Sequence, residues 1–140
     1  MIAPRSVPVP DLPSRLHASE AAWFDHPWCR AAQTAGLAAW RYDVVADRLV
    51  WSEALHAALG YPALPSTPTI RWWMSRVHPD DVASVARAYD AASAHALDGW
   101  AVPYRLRRSD GSYAAVTDFG TAVRDDSGEL VGLMGYLSFR

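Results

Sequence analysis

Residues 76–113, RVHPDDVASVARAYDAASAHALDGWAVPYRLRRSDGSY, carry the reading that decides the fold. Pro79 suits a first helical turn, where no backbone donor is needed, and Asp80 and Asp81 face the positive end of the helix dipole there. Val82, Val85, Ala86, Tyr89, Ala92, Ser93 and Ala96 then recur at steps of three and four, one apolar stripe on a long helix. Asp98-Gly99 closes it. The period changes at once: Trp100, Val102, Tyr104 and Leu106 alternate with Ala101, Pro103, Arg105 and Arg107, the pattern of a strand. Pro103 places that strand at an edge or bulge, and Asp110-Gly111 turns the chain into a hairpin. One long helix feeding antiparallel sheet predicts an α+β domain.

Working outward, Tyr113, Ala115, Thr117, Phe119 and Thr121 fall on one face of the next strand, and Asp126-Ser127-Gly128 turns into a last strand over 130–139. Upstream, 37–42 and 48–51 read as a hairpin pair, which makes five antiparallel strands. Ser52 caps a short helix that Gly60 ends, and Thr69 caps another turn or two. The prolines at 62, 65 and 68 make the segment between them a loop. Near the start, Pro4, Pro8, Pro10 and Pro13 predict an extended or disordered arm. Ser14 is placed to cap a flanking helix over 14–25, with a second short helix over 28–35 that stops at Gly36.

Composition narrows the function classes. The chain is 51% hydrophobic and 20% charged over 140 residues, enough for one domain with one core. A net charge of −2 gives no basic field for nucleic acid or an anionic membrane. Cys29 stands alone, so neither an internal disulfide nor a Cys-based zinc site is available. There is no leader pattern and no apolar run long enough to span a bilayer, so a cytoplasmic location is expected. Every basic residue is Arg and Ala is abundant, which points to a bacterial source.

With these elements placed, residues 36–137 resemble the PAS fold, in particular the subgroup known as PAS fold 3. The resemblance rests on Gly36-Leu37 with Trp40, Val50-Trp51-Ser52, Leu59-Gly60-Tyr61, and Trp72-Trp73 leading to Val77-His78-Pro79-Asp80-Asp81. It continues through Tyr104-Arg105-Leu106, Asp110-Gly111-Ser112-Tyr113, Val123-Arg124-Asp125 with Ser127-Gly128, and Gly135. Ala115 stands where the subgroup usually has an aromatic, and the chain lacks the subgroup's Asp-Ile-Thr after the last strand. The resemblance implies a five-stranded antiparallel sheet with helices on one face and an N-terminal flanking helix. It divides the chain into an arm and flanking helix (1–35) and a sensor domain (36–140).

The function so implied is sensory signal transduction, as in two-component systems. The module binds a small ligand or forms a homodimer and regulates an attached or partner effector; it is not itself an enzyme. A parent protein would be a histidine kinase or a diguanylate cyclase. The alternative is a ligand-free dimerisation or docking module, and a remote one is a hydrolase or dehydratase using His78 with Asp80 or Asp81. Helix-start chemistry explains those three residues without catalysis.

Candidate ligand contacts are Trp40, Trp51, Trp72, Trp73, Tyr104 and Phe119, although aromatics spaced along strands are more often core. Candidate dimer contacts are Leu16, Trp23, Phe24 and Ala115, with Ala115 on the outer sheet face as a seat for Trp23 or Phe24. No cofactor is expected. His95 alone is a thin basis for haem, Cys29 lies outside the region where flavin photoreceptors of this fold carry their Cys, and the glycines near 128–135 form no phosphate loop.

Overall fold

The computed structural model describes residues 10–19, 23–62, 68–94 and 99–140. In chain order they form β1 (Leu16–His17), a 3-10 turn (Trp23–Asp25), α1 (Pro27–Thr34), β2 (Ala38–Asp43), β3 (Arg48–Trp51) and α2 (Glu53–Leu59). Then come α3 (Ile70–Met74), α4 (Val82–Ser93), β4 (Gly99–Arg107), β5 (Tyr113–Arg124) and β6 (Leu130–Phe139). The sheet runs β1-β5-β6-β2-β3, with β4 also beside β5. Five strands pair antiparallel as expected, and the two-residue β1 is a sixth, parallel to β5. Among the described residues no helix is long and apolar enough to cross a membrane.

Local signals set most boundaries. Ser52 Oγ accepts from Leu55 N at the start of α2, and Gly60 ends that helix at φ 77°, a left-handed conformation that glycine adopts without steric cost. Thr69 accepts from Trp72 N at the start of α3. Pro103 lies on β4, whose neighbour within the named strands is β5, so the donor it lacks is not missed.

Two expectations are corrected. The described residues of 14–25 do not form the expected helix: Leu16 and His17 are extended, opposite Val123 and Arg124, and Ala18 N donates to Arg124 O at 2.7 Å. The cause is non-local. Among the described residues β4 pairs with β5 as far as Thr121, and beyond that point β1 takes the backbone groups of Val123 and Arg124. The long helix starts at Val82 rather than Pro79. Its lead-in is tied to β4: His78 N donates to Arg105 O at 2.8 Å. Asp80 N donates to His78 Nδ1, and the Asp81 carboxylate is turned away to accept from Arg105 N, Nε and Nη2 at 2.9–3.0 Å. The end assigned to that helix, 95–98, lies outside the described residues, as do residues 1–9 of the arm and 63–67 of the proline-rich loop.

The sheet buries both faces. Inward-facing Trp40, Tyr42, Tyr104, Leu106, Val116 and Leu133 meet Leu55, Leu59, Trp73 and Ala92 from the helices. On the outer face Leu16, Trp28, Ala32, Ala39, Val123 and Met134 form a second core, which ties the N-terminal segment to the sheet.

Candidate functional site: an apolar cavity with one buried carboxyl

A cavity of about 280 Å³ lies between the inner sheet face and helices α3 and α4. Trp40 and Tyr42 come from β2, Ile70, Trp73 and Met74 from α3, Val85, Ala86 and Tyr89 from α4, and Trp100, Val102 and Tyr104 from β4. Glycines make room for the large rings. Gly120 on β5 lies opposite Trp100, and a Cβ there would fall 2.2 Å from the Trp100 ring. The Trp100 indole therefore lies flat over the strand and stacks on Trp40, with centroids 6.2 Å apart and planes 28° from parallel.

Among the described residues of the sheet, one charged side chain, Asp118 of β5, faces the chamber. It is only 8% exposed. Trp40 Nε1 donates to its Oδ1 at 3.0 Å, and Tyr104 OH donates to its Oδ2 at 2.8 Å. Both donors are themselves cavity walls, so the carboxyl and the aromatic box hold one another in place. Burial pushes the Asp118 carboxyl up to about 7, against the two hydrogen bonds, which favour its charged form. Burial, and then the neighbouring Asp118, push the Tyr104 phenol well above its usual range. The site thus presents a weak acid poised near neutrality inside apolar walls.

Of the six expected ligand contacts, Trp40, Trp73 and Tyr104 line this cavity. Trp51 and Trp72 stand behind it in a packed aromatic layer, their centroids 5.4 Å apart, with Arg76 over the Trp72 ring. Phe119 is on the opposite face of the sheet, stacked on Tyr136 at 5.0 Å, because side chains alternate along β5 and Asp118 takes the inward place.

The expected dimer contacts are arranged differently from the sequence reading. Leu16 is buried at 3% in its own chain's outer core. Trp23 sits over Gly132, where a Cβ would meet its ring at 2.3 Å. Phe24 is covered by the guanidinium groups of Arg41 and Arg48. Ala115 is on the outer face, as expected, but toward the Tyr113 end of β5, whereas the seat for Trp23 is beside Val123 at the other end. Leu16, Trp23 and Phe24 thus make their contacts within their own chain, Leu16 buried and the two rings half-buried.

The sequence reading does not single out Asp118, Tyr89 or Trp100 as site residues. A signal for Asp118 is there: it shares an alternating face with Ala114, Val116 and Ala122, so a carboxylate stands among core residues. His78 has a local structural job, accepting from Asp80 N, with its ring 4.8 Å from that of Tyr113. Arg105 holds the Asp81 carboxyl down at about 2, chiefly through their hydrogen bonds. Among the described residues no group of three or more His, Cys, Asp or Glu is gathered as a metal site.

No curated protein matches the chain. Among solved structures it is similar to the N-terminal domain of a diguanylate cyclase with PAS/PAC sensor from Marinobacter aquaeolei. That likeness has 27% identity and a TM-score of 0.64, covering 72% of this chain and 92% of that one. A sensory box histidine kinase/response regulator from Burkholderia thailandensis is 25% identical with a TM-score of 0.66, covering 80% and 82%. A light-oxygen-voltage domain studied with a flavin analogue, at 21% identity and a TM-score of 0.67 over 84% and 87%, shares the fold. A family model for the PAS fold matches residues 48–137, well over half of the sequence, and the chain belongs to that family.

Proposed function

We propose that this chain is a sensory signalling module, not itself catalytic, that holds a small ligand between sheet and helices and regulates an attached or partner effector. The observation that carries this reading is the cavity of about 280 Å³, its described walls mostly apolar and aromatic, with a buried carboxyl fixed by two of them. Pockets for small molecules have this make-up: mostly apolar walls with a few placed polar groups. A domain whose interior served stability alone would close such a space, since empty volume in a core is destabilising. The likeness to sensor regions of a cyclase and a kinase supports the signalling half.

Native mass spectrometry of the protein purified from cells tests the ligand. A retained small molecule, lost in an Ala86→Phe variant that fills the cavity, is the expected result. Retention that is indifferent to that substitution refutes the assignment of the site. A second reading, homodimerisation, is favoured by the part of the outer face around Ala115 and Thr117, which remains half-buried and carries the exposed Tyr113 at its end. Sedimentation of wild type and Ala115→Arg decides it: a dimer that the arginine dissociates supports this surface, and a monomer at tens of micromolar refutes it.

A further inference from the structure

We propose that the cavity selects a compact organic cation, a primary arylalkylamine or similar protonated base, whose ammonium group docks on the Asp118 carboxylate. This inference rests on the ligand-binding reading above and names the class of ligand. Its first support is charge. Among the described residues the charged ones that line the cavity are Asp118 and Asp90, both acidic, and no arginine is among them. An anionic ligand would have to enter an apolar chamber beside a carboxylate with no cation among the described lining residues to neutralise it, a large desolvation cost.

The second support is valence. Asp118 Oδ1 accepts from Trp40 and Oδ2 from Tyr104, one hydrogen bond apiece, and an ionised carboxylate has about four acceptor sites. Capacity is left for a donor that comes from the chamber. The third support is the walls. Trp40, Trp73, Trp100, Tyr89 and Tyr104 bring aromatic rings around the space, and ring faces attract cations in dry surroundings. The apolar remainder requires a hydrocarbon body on the same molecule. Size follows from volume: a cavity of about 150 Å³ admits benzene, so this one suits roughly ten non-hydrogen atoms.

The Asp118 carboxyl, raised by burial, would return to its charged form as an ammonium arrives, so binding and ionisation favour each other. Asp90 is exposed on α4 at the margin of the same cavity and adds a negative field at its mouth.

The test uses three probes with one skeleton, 2-phenylethylamine, 2-phenylethanol and phenylacetate, titrated against the full chain at about pH 8. The fluorescence of Trp40, Trp73 and Trp100 in the walls is the signal. The amine is expected to bind at least tenfold more tightly than the alcohol, with the carboxylate weakest. In Asp118→Asn the amine is expected to fall to the affinity of the alcohol, while the alcohol changes less than threefold. The ranking on the wild-type protein decides the matter even where that variant does not fold. Amine and alcohol binding alike, or phenylacetate binding most tightly, overturns the proposal while leaving the ligand cavity standing. Binding of none of the three at millimolar concentration overturns both.

Discussion

Replacing Asp118 by Asn should change how stability responds to pH, and the size of the change follows from the site. Folding raises the carboxyl from 3.8 to about 7, chiefly through desolvation. Between these values the folded chain keeps a proton that the unfolded chain has released. The stabilisation from the neutral carboxyl is therefore fully present below about pH 4 and is lost as pH rises through about 7. A tenfold change in proton activity is worth about 1.4 kcal/mol per proton, so the wild-type protein should lose about 3 kcal/mol between about pH 5 and pH 8 through this group. The amide of the Asp118→Asn variant has no proton to lose. The carboxyls of Asp47, Asp81, Asp110 and Asp125, which are held below their usual value, titrate alike in both proteins and cancel in the difference. Urea denaturation at several pH values measures it. The variant should be the less stable at pH 5 and should close or reverse that gap by pH 8. A difference constant within about 0.5 kcal/mol over that range would refute the buried-acid reading.

Three further substitutions test the packing. Ser52→Ala removes a hydroxyl that accepts from Ala39 N and Leu55 N and donates to Leu37 O, so chemical denaturation should show a loss of about 1–2 kcal/mol. Thr121→Val should gain about 1 kcal/mol in the same assay, because its fully buried hydroxyl has no hydrogen-bond partner among the described residues; a loss of that size would show that the hydroxyl is satisfied. Gly135→Ala should lower the thermal midpoint sharply, by about 3 kcal/mol in stability, because a Cβ would lie 1.9 Å from the Phe119 carbonyl oxygen and backbone cannot swing aside. An unchanged midpoint would mean that β5 and β6 separate more easily than their pairing implies.

Features written in short segments are legible in the sequence. Ser52, Thr69 and Gly60 act through neighbours within four residues, so the residue types alone place them. The stripe from Val82 to Ala92 and the alternation from Trp100 to Leu106 likewise declare their periods. What stays hidden depends on partners distant in sequence. Leu16 is extended because it pairs with Val123 near the end of β5, a partner more than a hundred residues along the chain. The ligand site turns on parity. Asp118 and Phe119 are adjacent, so putting the aromatic inward sends the acid to solvent, and a reading that favours aromatic pockets chooses the wrong face of one strand. Trp40 and Tyr104 carry no such ambiguity, because their strands hold the large apolar groups on one side only.

The length of β5 gives the domain a mechanical property. Its middle holds Asp118 against the cavity, and its far end holds Leu16 and His17 through the parallel pairing at Val123 and Arg124. About 17 Å of extended backbone separates the two grips. β6 braces the strand in unbroken register from Val116 to Val123, and the register shifts only at Val123/Arg124, where the clasp sits. A slide of the carboxyl along the strand would be carried toward the clasp on the N-terminal segment by that continuous backbone. That clasp is only two residues long. It is the shortest pairing among the named strands, and it grips the chain at the first described residues to join the sheet.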